Sequence, residues 1–217
     1  MCVPVITSVD IIKKIISDSR FPGSSLVIDV GSVKGFICDE IEKISGSEKF
    51  IGCHPMAGLE KTGYEYSRSD LYKGSTVIIT PGLKNSVSNI GKIKEFWEYI
   101  GAEIITTTSE KHDLSVAVTS HIPHILAASL VRIFNRMEIG EGFVGNGFRD
   151  VTRISAGSPD MWSEIVSGNK EKILKVIDMA VDEIFDFKEM IMSETDNKKI
   201  YEYFSRAKSI RDRIKKS

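Results

Sequence analysis

The stretch Leu26-Val27-Ile28-Asp29-Val30-Gly31-Ser32-Val33-Lys34, followed by Phe36 to Ile44 and then by Phe50-Ile51-Gly52-Cys53-His54-Pro55-Met56-Ala57-Gly58, decides the architecture. A β-branched run of strand length, a helical segment and a second apolar run make one strand–helix–strand unit. The pattern extends outward in both directions. Upstream, Met1 to Val5 reads as a short strand, and Ser8 can cap a helix carrying Val9, Ile12, Ile15 and Ile16 at helical spacing. Downstream come a strand at Thr76 to Thr80, a helix from Ser86 to Ile100 with Phe96 and Trp97 toward the sheet, and a strand from Glu103 to Thr107. This alternation predicts an α/β fold with a parallel sheet and crossover connections.

From Glu110 onward no strand pattern remains. Leu114 to Phe134 is apolar nearly all round and predicts a buried central helix, kinked at Pro123, where the missing N–H frees a carbonyl about one turn earlier. Ser158-Pro159-Asp160 is a helix start, with serine as cap and proline at the first helical position. Ile173, Ile177, Ala180, Ile184, Phe187 and Ile191 alternate four and three apart, a heptad-like seam that predicts lengthwise packing against another helix. The chain therefore divides into an α/β part, 1–107, and a helical part, 108–217.

A chain of 217 residues with 41% hydrophobic and 27% charged residues has the composition of an ordinary globular protein. Its net charge of −1 argues against a nucleic-acid or membrane-surface partner. The basic tail from Arg206 to Lys216 is interleaved with Asp212, Ile210 and Ile214, which suits a solvated helix face. Three cysteines (Cys2, Cys38 and Cys53), odd in number and without a Cys-x-x-Cys pair, fit a reducing compartment. The opening residues lack a signal-peptide pattern, and no stretch is predicted to span a membrane, so the expected location is cytoplasmic.

His54 stands at the end of an apolar strand, where an α/β enzyme places proton-handling groups, and Gly52 and Gly58 flank it, allowing close backbone approach. Cys53 cannot partner it, because successive strand residues point to opposite faces. Ser32 lies in a strand-to-helix turn, where it can cap the helix, face the crevice, or both. Lys34 reads as helix-start surface. Arg149 and Arg153 lie four apart, suited to ion pairs with Asp150, Asp160 or Glu164, or to clamping a carboxylate. His121 and His124 flank Pro123; without a third ligand they make a poor metal site, so no metal is expected, and His121 is the one assigned to the crevice. His112-Asp113 reads as a structural cap pair. Pro4, Val5 and Gly31 occupy positions that would border a dinucleotide. The glycine-rich dinucleotide fingerprint, which belongs in a first strand-to-helix turn, is missing.

Four motifs in order, namely Gly31-Ser32-Val33-Lys34, His54-Pro55-Met56-Ala57-Gly58, Ser120-His121-Ile122-Pro123-His124 and Gly147-Phe148-Arg149-Asp150-Val151-Thr152-Arg153, resemble the prephenate/arogenate dehydrogenase family, over residue 1 to about Glu194. The resemblance implies the remainder of a doubly wound Rossmann-type parallel sheet followed by an all-helical dimerisation domain, hence a homodimer. It implies NAD- or NADP-dependent oxidative decarboxylation of prephenate or arogenate in tyrosine biosynthesis. In the family, a histidine matching His54 accepts a hydrogen bond from the substrate's ring hydroxyl, with Ser32 assisting. By the same resemblance Arg153 holds a substrate carboxylate, Arg149 is structural and His121 lies at the substrate. The opening strand matches the family's fourth, so roughly two βαβ units would precede it. With no cradle for the pyrophosphate, the chain is expected to have no measurable affinity for the dinucleotide. Two readings follow: an enzyme whose missing unit is supplied upstream or by another polypeptide, or an inactive dimerising module. Another two-domain nicotinamide dehydrogenase, acting on a hydroxy acid, is disfavoured because Leu114 to Phe134 contains no lysine.

Overall fold

The computed structural model describes residues 5–58, 64–193 and 197–214. Its first helix, α1 (Val5–Ser17), starts before Ser8, whose hydroxyl donates to the Val5 carbonyl at 2.6 Å rather than capping. Val9, Ile12 and Ile16 are buried as their spacing predicts. Val5 belongs to this helix and not to a strand end, a departure from the sequence expectation. Pro4 and the rest of the predicted first strand lie outside the described residues.

After α1 come β1 (Val27–Ile28), α2 (Gly35–Glu42), β2 (Phe50–Pro55), β3 (Thr76–Thr80), α3 (Val87–Ile100) and β4 (Glu103–Thr106), with sheet order β1-β2-β3-β4. β1 pairs parallel with β2, and β3 parallel with β4. β2 and β3 are antiparallel, the pair at which the sheet departs from the expected parallel arrangement. Parallel strands need a crossover, usually a helix, whereas the described residues between β2 and β3 hold only the 3-10 turn Tyr64–Tyr66.

The two faces of the sheet bury different residues. Val27 and Phe50 pack with Ile12, Ile37 and Ile41 of α1 and α2, while Ile51, Cys53, Val77 and Ile79 pack against Ile93 and Trp97 of α3. Trp97 is buried and donates its indole N–H to the Cys53 sulfur at 3.4 Å; neighbouring Phe96 is exposed, so only one of the two predicted aromatics faces the sheet. Ser86, expected as the first residue of this helix, is its cap and accepts from the Asn89 N–H.

A continuous helical run follows: α4 (Ser109–Val116), a π turn (Ala117–His121) and α5 (Ile122–Arg136). Pro123 cannot donate to the carbonyl one turn back; the preceding turn widens instead, the Ile122 N–H reaching the Ala117 carbonyl. By length and composition, 109–136 could cross a bilayer (mean hydropathy 1.5), contrary to the expectation that no stretch could. Yet His112, Asp113, His121 and His124 on this run are buried, and the first three are hydrogen-bonded within the fold, as in a core helix. It is not buried all round, since Val118, Leu126 and Ile133 are exposed on the single chain. α6 (Asn146–Thr152), a 3-10 turn (Arg153–Ala156) and α7 (Pro159–Gly168) come next, with Ser158 capping α7.

α8 (Lys170–Met192) and α9 (Asn197–Ile214) complete the chain. Two compact units result, Met1–Ile173 and Leu174–Ser217. In the second, Phe187 of the heptad-like seam packs against Tyr203 and Phe204 of α9, with ring centroids 4.9 and 5.7 Å apart. Ile184 and Ile191 of the same seam are exposed, so the single chain covers only part of it.

Candidate functional site

The strand β2 delivers His54 to the carboxyl edge of the parallel pair β1/β2, where the turn Gly31-Ser32 also leaves β1. Strand alternation sends Cys53 toward Trp97 and turns His54 the other way, toward α4. There His54 Nδ1 lies 2.8 Å from His112 Nε2, and His112 Nδ1 lies 2.7 Å from Asp113 Oδ1. The Asp113 carboxylate also accepts the Lys34 and Gly35 backbone N–H groups, each at 2.8 Å. An acid from α4 thus caps α2, the task that sequence reasoning offered to Ser32. Gly35 is required for this approach, since a Cβ there would lie 2.7 Å from Asp113 Oδ2. Ser32 is half-buried, and its hydroxyl makes no hydrogen bond among the described residues.

Lys34, expected on the surface, is completely buried and ion-paired with Asp29. Asp29 also accepts the N–H groups of Gly31 and Cys53, each at 3.0 Å, and so ties the end of β1 to the residue beside His54. Breaking a buried pair by removing one partner costs about 3–5 kcal/mol. Gly52 lets α2 close over the sheet, because a Cβ there would stand 2.4 Å from Thr80 Oγ1 and 3.3 Å from Lys34 Cδ.

A second cluster adjoins the first. The Asn169 side-chain amide donates to the Asp113 carbonyl at 2.8 Å and to His121 Nδ1 at 3.2 Å. His121 is 1% exposed, sealed inside the protein. It meets Trp162 edge-on, and His124 stacks against the same Trp162, centroids 3.5 Å apart. Gly157 admits this pair: a Cβ would lie 2.6 Å from Trp162 Nε1. Arg153 opens the 3-10 turn before Gly157 and is exposed, as is Arg149. Val5 is buried, its N–H bound to Glu164 Oε2 at 3.0 Å, and it packs near Val33 and Gly168.

Burial sets the electrostatics. Desolvation, helped by the nearby His112, Lys34 and His121, lowers the His54 pKa to about 3, so its imidazole is neutral at working pH. Desolvation likewise lowers His121 to about 4, opposed by the Asp113 charge, and lowers His124. It raises Cys53 to about 12 and Cys38 to about 11, which leaves both thiols protonated. The site can therefore offer a neutral nitrogen acceptor at His54 but no thiolate nucleophile. Among the described residues, no three His, Cys, Asp or Glu side chains are placed to hold a metal ion.

A dinucleotide requires donors for its diphosphate from a glycine-rich turn and a helix N-terminus. The spacing Gly-x-Gly-x-x-Gly does occur, at Gly140-Glu141-Gly142-Phe143-Val144-Gly145, but it follows α5 and forms a 3-10 turn with no strand before it. After β1, the first N–H groups of α2 are already taken by Asp113. After β3, a Cβ on Gly82 would lie 2.6 Å from Glu42 Oε2, an acidic neighbour unsuited to an anion. The described residues do not fit a diphosphate.

Sequence reasoning left His112-Asp113 as a structural cap pair and passed over Asn169. One signal pointed beyond a cap: a His-Asp pair opening an apolar helix is a costly place for two ionisable groups unless they serve one another. For Asn169 no such signal exists.

Residues 1–106 match the family model of the prephenate dehydrogenase nucleotide-binding domain, and 108–206 match that of the prephenate dehydrogenase dimerization domain. Prephenate dehydrogenase of Bacillus subtilis (strain 168) is 36% identical over 192 residues, which cover 86% of this chain and 52% of that protein. Cyclohexadienyl dehydrogenase of Zymomonas mobilis is 28% identical over 195 residues, 88% of this chain and 66% of that one. This chain thus spans about half to two thirds of the length of these relatives. The crystal structure of A. aeolicus prephenate dehydrogenase in complex with hydroxyphenyl propionate and NAD+ is 36% identical, with a TM-score of 0.89 over 98% of this chain and 74% of that one. Two family models in tandem and a relative of this identity and coverage lead to one conclusion: the chain belongs to the prephenate/arogenate dehydrogenase family.

Proposed function

We propose that this chain forms the substrate side of a prephenate dehydrogenase, a cytoplasmic enzyme of tyrosine biosynthesis that oxidatively decarboxylates prephenate to 4-hydroxyphenylpyruvate with NAD or NADP. The observation that carries the proposal is the neutral, desolvated His54 at the carboxyl edge of β1/β2. An unprotonated imidazole nitrogen accepts a hydrogen bond from the substrate hydroxyl and raises electron density on the carbon that loses hydride. The unengaged Ser32 hydroxyl, leaving β1 at the same edge, assists. Arg153 takes a substrate carboxylate, a task for which a planar guanidinium is suited. The relatives above 30% identity bear the name prephenate dehydrogenase, which favours prephenate over arogenate. The described residues contain no diphosphate cradle, and their part lies wholly at the substrate end. The match to a dimerization domain and the exposed Ile184 and Ile191 support a homodimer.

Calorimetric titration with prephenate and with arogenate tests the reading. Prephenate is expected to bind, and Arg153→Leu to weaken it by ~10- to 150-fold, the equivalent of a charge-assisted hydrogen bond. In rate assays with NAD and NADP on the chain extended upstream by a glycine-rich dinucleotide-binding unit, His54→Asn is expected to lower turnover far more than substrate capture. Failure of both dicarboxylates to bind, or binding indifferent to Arg153→Leu, refutes the proposal.

A further inference from the structure

His112 is 1% exposed and touches both His54 and Asp113, so three ionisable side chains from β2 and α4 stand in one line. We propose that Asp113 and His112 are positioning residues that lock His54 in one tautomer, with hydrogen on Nδ1 and a bare Nε2 left to accept from the substrate hydroxyl. This inference deepens the role given above to His54 and rests on it for its catalytic meaning.

Following the hydrogens along the line leads to the assignment. An ionised carboxylate only accepts, and Asp113 already accepts two backbone N–H groups. His112 Nδ1, 2.7 Å from Asp113 Oδ1, must therefore carry its hydrogen. A neutral imidazole has one N–H, so His112 Nε2 is a lone-pair acceptor. It lies 2.8 Å from His54 Nδ1, a distance at which two lone pairs repel and an N–H···N bond is favourable. The hydrogen on His54 consequently sits on Nδ1. A free imidazole side chain in water prefers the opposite tautomer, with hydrogen on Nε2, which would turn a donor toward the substrate hydroxyl. The remaining ionisable groups nearby have other partners: Lys34 is paired with Asp29, and His121 accepts from Asn169. The same amide holds the Asp113 carbonyl, which fixes the acid end of the line to the start of α8.

The test is long-range 1H–15N correlation spectroscopy of the chain labelled with 15N-histidine. Its four histidines are assigned by single replacements. The expected spectrum shows His54 and His112 both protonated on Nδ1 alone. His112→Leu should abolish the Nδ1-protonated pattern of His54, and His112→Gln, whose Oε1 can accept from His54 Nδ1, should restore it. An Nε2-protonated His54 or a doubly protonated His112 in the unaltered chain overturns the lock, even if His112→Leu does not fold. A His54 pattern unchanged by His112→Leu overturns it as well. Calorimetry with prephenate on the same samples separates the two proposals. The expected tautomers without prephenate binding uphold the lock and sink the functional reading; binding with the wrong tautomer does the reverse.

Discussion

Asp113→Ala removes the acceptor that joins α4 to the start of α2, and its cost can be worked from three hydrogen bonds. The carboxylate accepts from the Lys34 N–H, the Gly35 N–H and the His112 Nδ1–H, at 2.8, 2.8 and 2.7 Å. Each buried donor left without an acceptor costs about 1–3 kcal/mol, which bounds the total at ~3–9 kcal/mol. The upper end is not reached, because a cavity of ≈ 500 Å³ lined by Gly35, Phe36, Asp113 and Asn169 lets water reach the half-buried Gly35 N–H. Charge at the α2 N-terminus adds a further ~0.3–1 kcal/mol. The expected loss is about 3–4 kcal/mol for Asp113→Ala and about 1–2 kcal/mol for Asp113→Asn, which keeps one acceptor oxygen. Urea unfolding followed by tryptophan fluorescence measures it. Both tryptophans, Trp97 and Trp162, lie in the first unit, so the signal reports that unit alone. With a slope of ~2 kcal/mol per M urea, the alanine variant should lose ~1.5–2 M from the midpoint. A shift under ~0.5 M, or equal shifts for the two variants, refutes the argument that Asp113 is the hub of these bonds.

Acid should destabilise the first unit early. His54 and His121 have folded pKa values of about 3 and about 4, below their usual 6.5, because burial disfavours the charged ring. Below pH 6.5 the unfolded chain binds protons that the folded chain refuses. Stability is therefore full above about 6.5 and falls toward pH 4 by up to ~1.4 kcal/mol per pH unit for each histidine. Urea midpoints measured from pH 8 to 5 should show this slope, reduced in His54→Gln, and a flat profile would contradict the burial. Gly52→Ala forces a Cβ to within 2.4 Å of Thr80 Oγ1 and 3.1 Å of Cys38 Sγ and should cost about 1–3 kcal/mol. Gly91→Ala, in the middle of α3 with nothing within 4 Å, should instead gain ~0.5–1 kcal/mol; thermal melts compare the two.

Local chemistry was legible wherever a residue's neighbours in sequence are also its neighbours in space. The Ser158 cap, the helix after Ser86, the strand Thr76–Thr80 and the opposed directions of Cys53 and His54 all depend on spacing within one element. Lys34 was misjudged because lysine is a surface residue unless something pairs with it. Asp29, inside the apolar run Leu26 to Val30, was the cue, being a buried acid five residues away that needs a cation. The direction of β3 was hidden for a different reason. Strand pattern is the same in either sense, and only the connection decides which is built.

By itself the sequence determined the α/β class, the strand that presents His54 and the family to which the chain belongs, since these depend on periodicity and on motif order. Only the tertiary structure joined His54 to His112 and Asp113. His54 and His112 are 58 positions apart along the chain, and no local pattern encodes which helix will close over a strand end. α1, α2 and the sheet bury their apolar faces together, Asp113 of α4 takes the N–H groups of α2, and the resulting burial leaves His54 neutral.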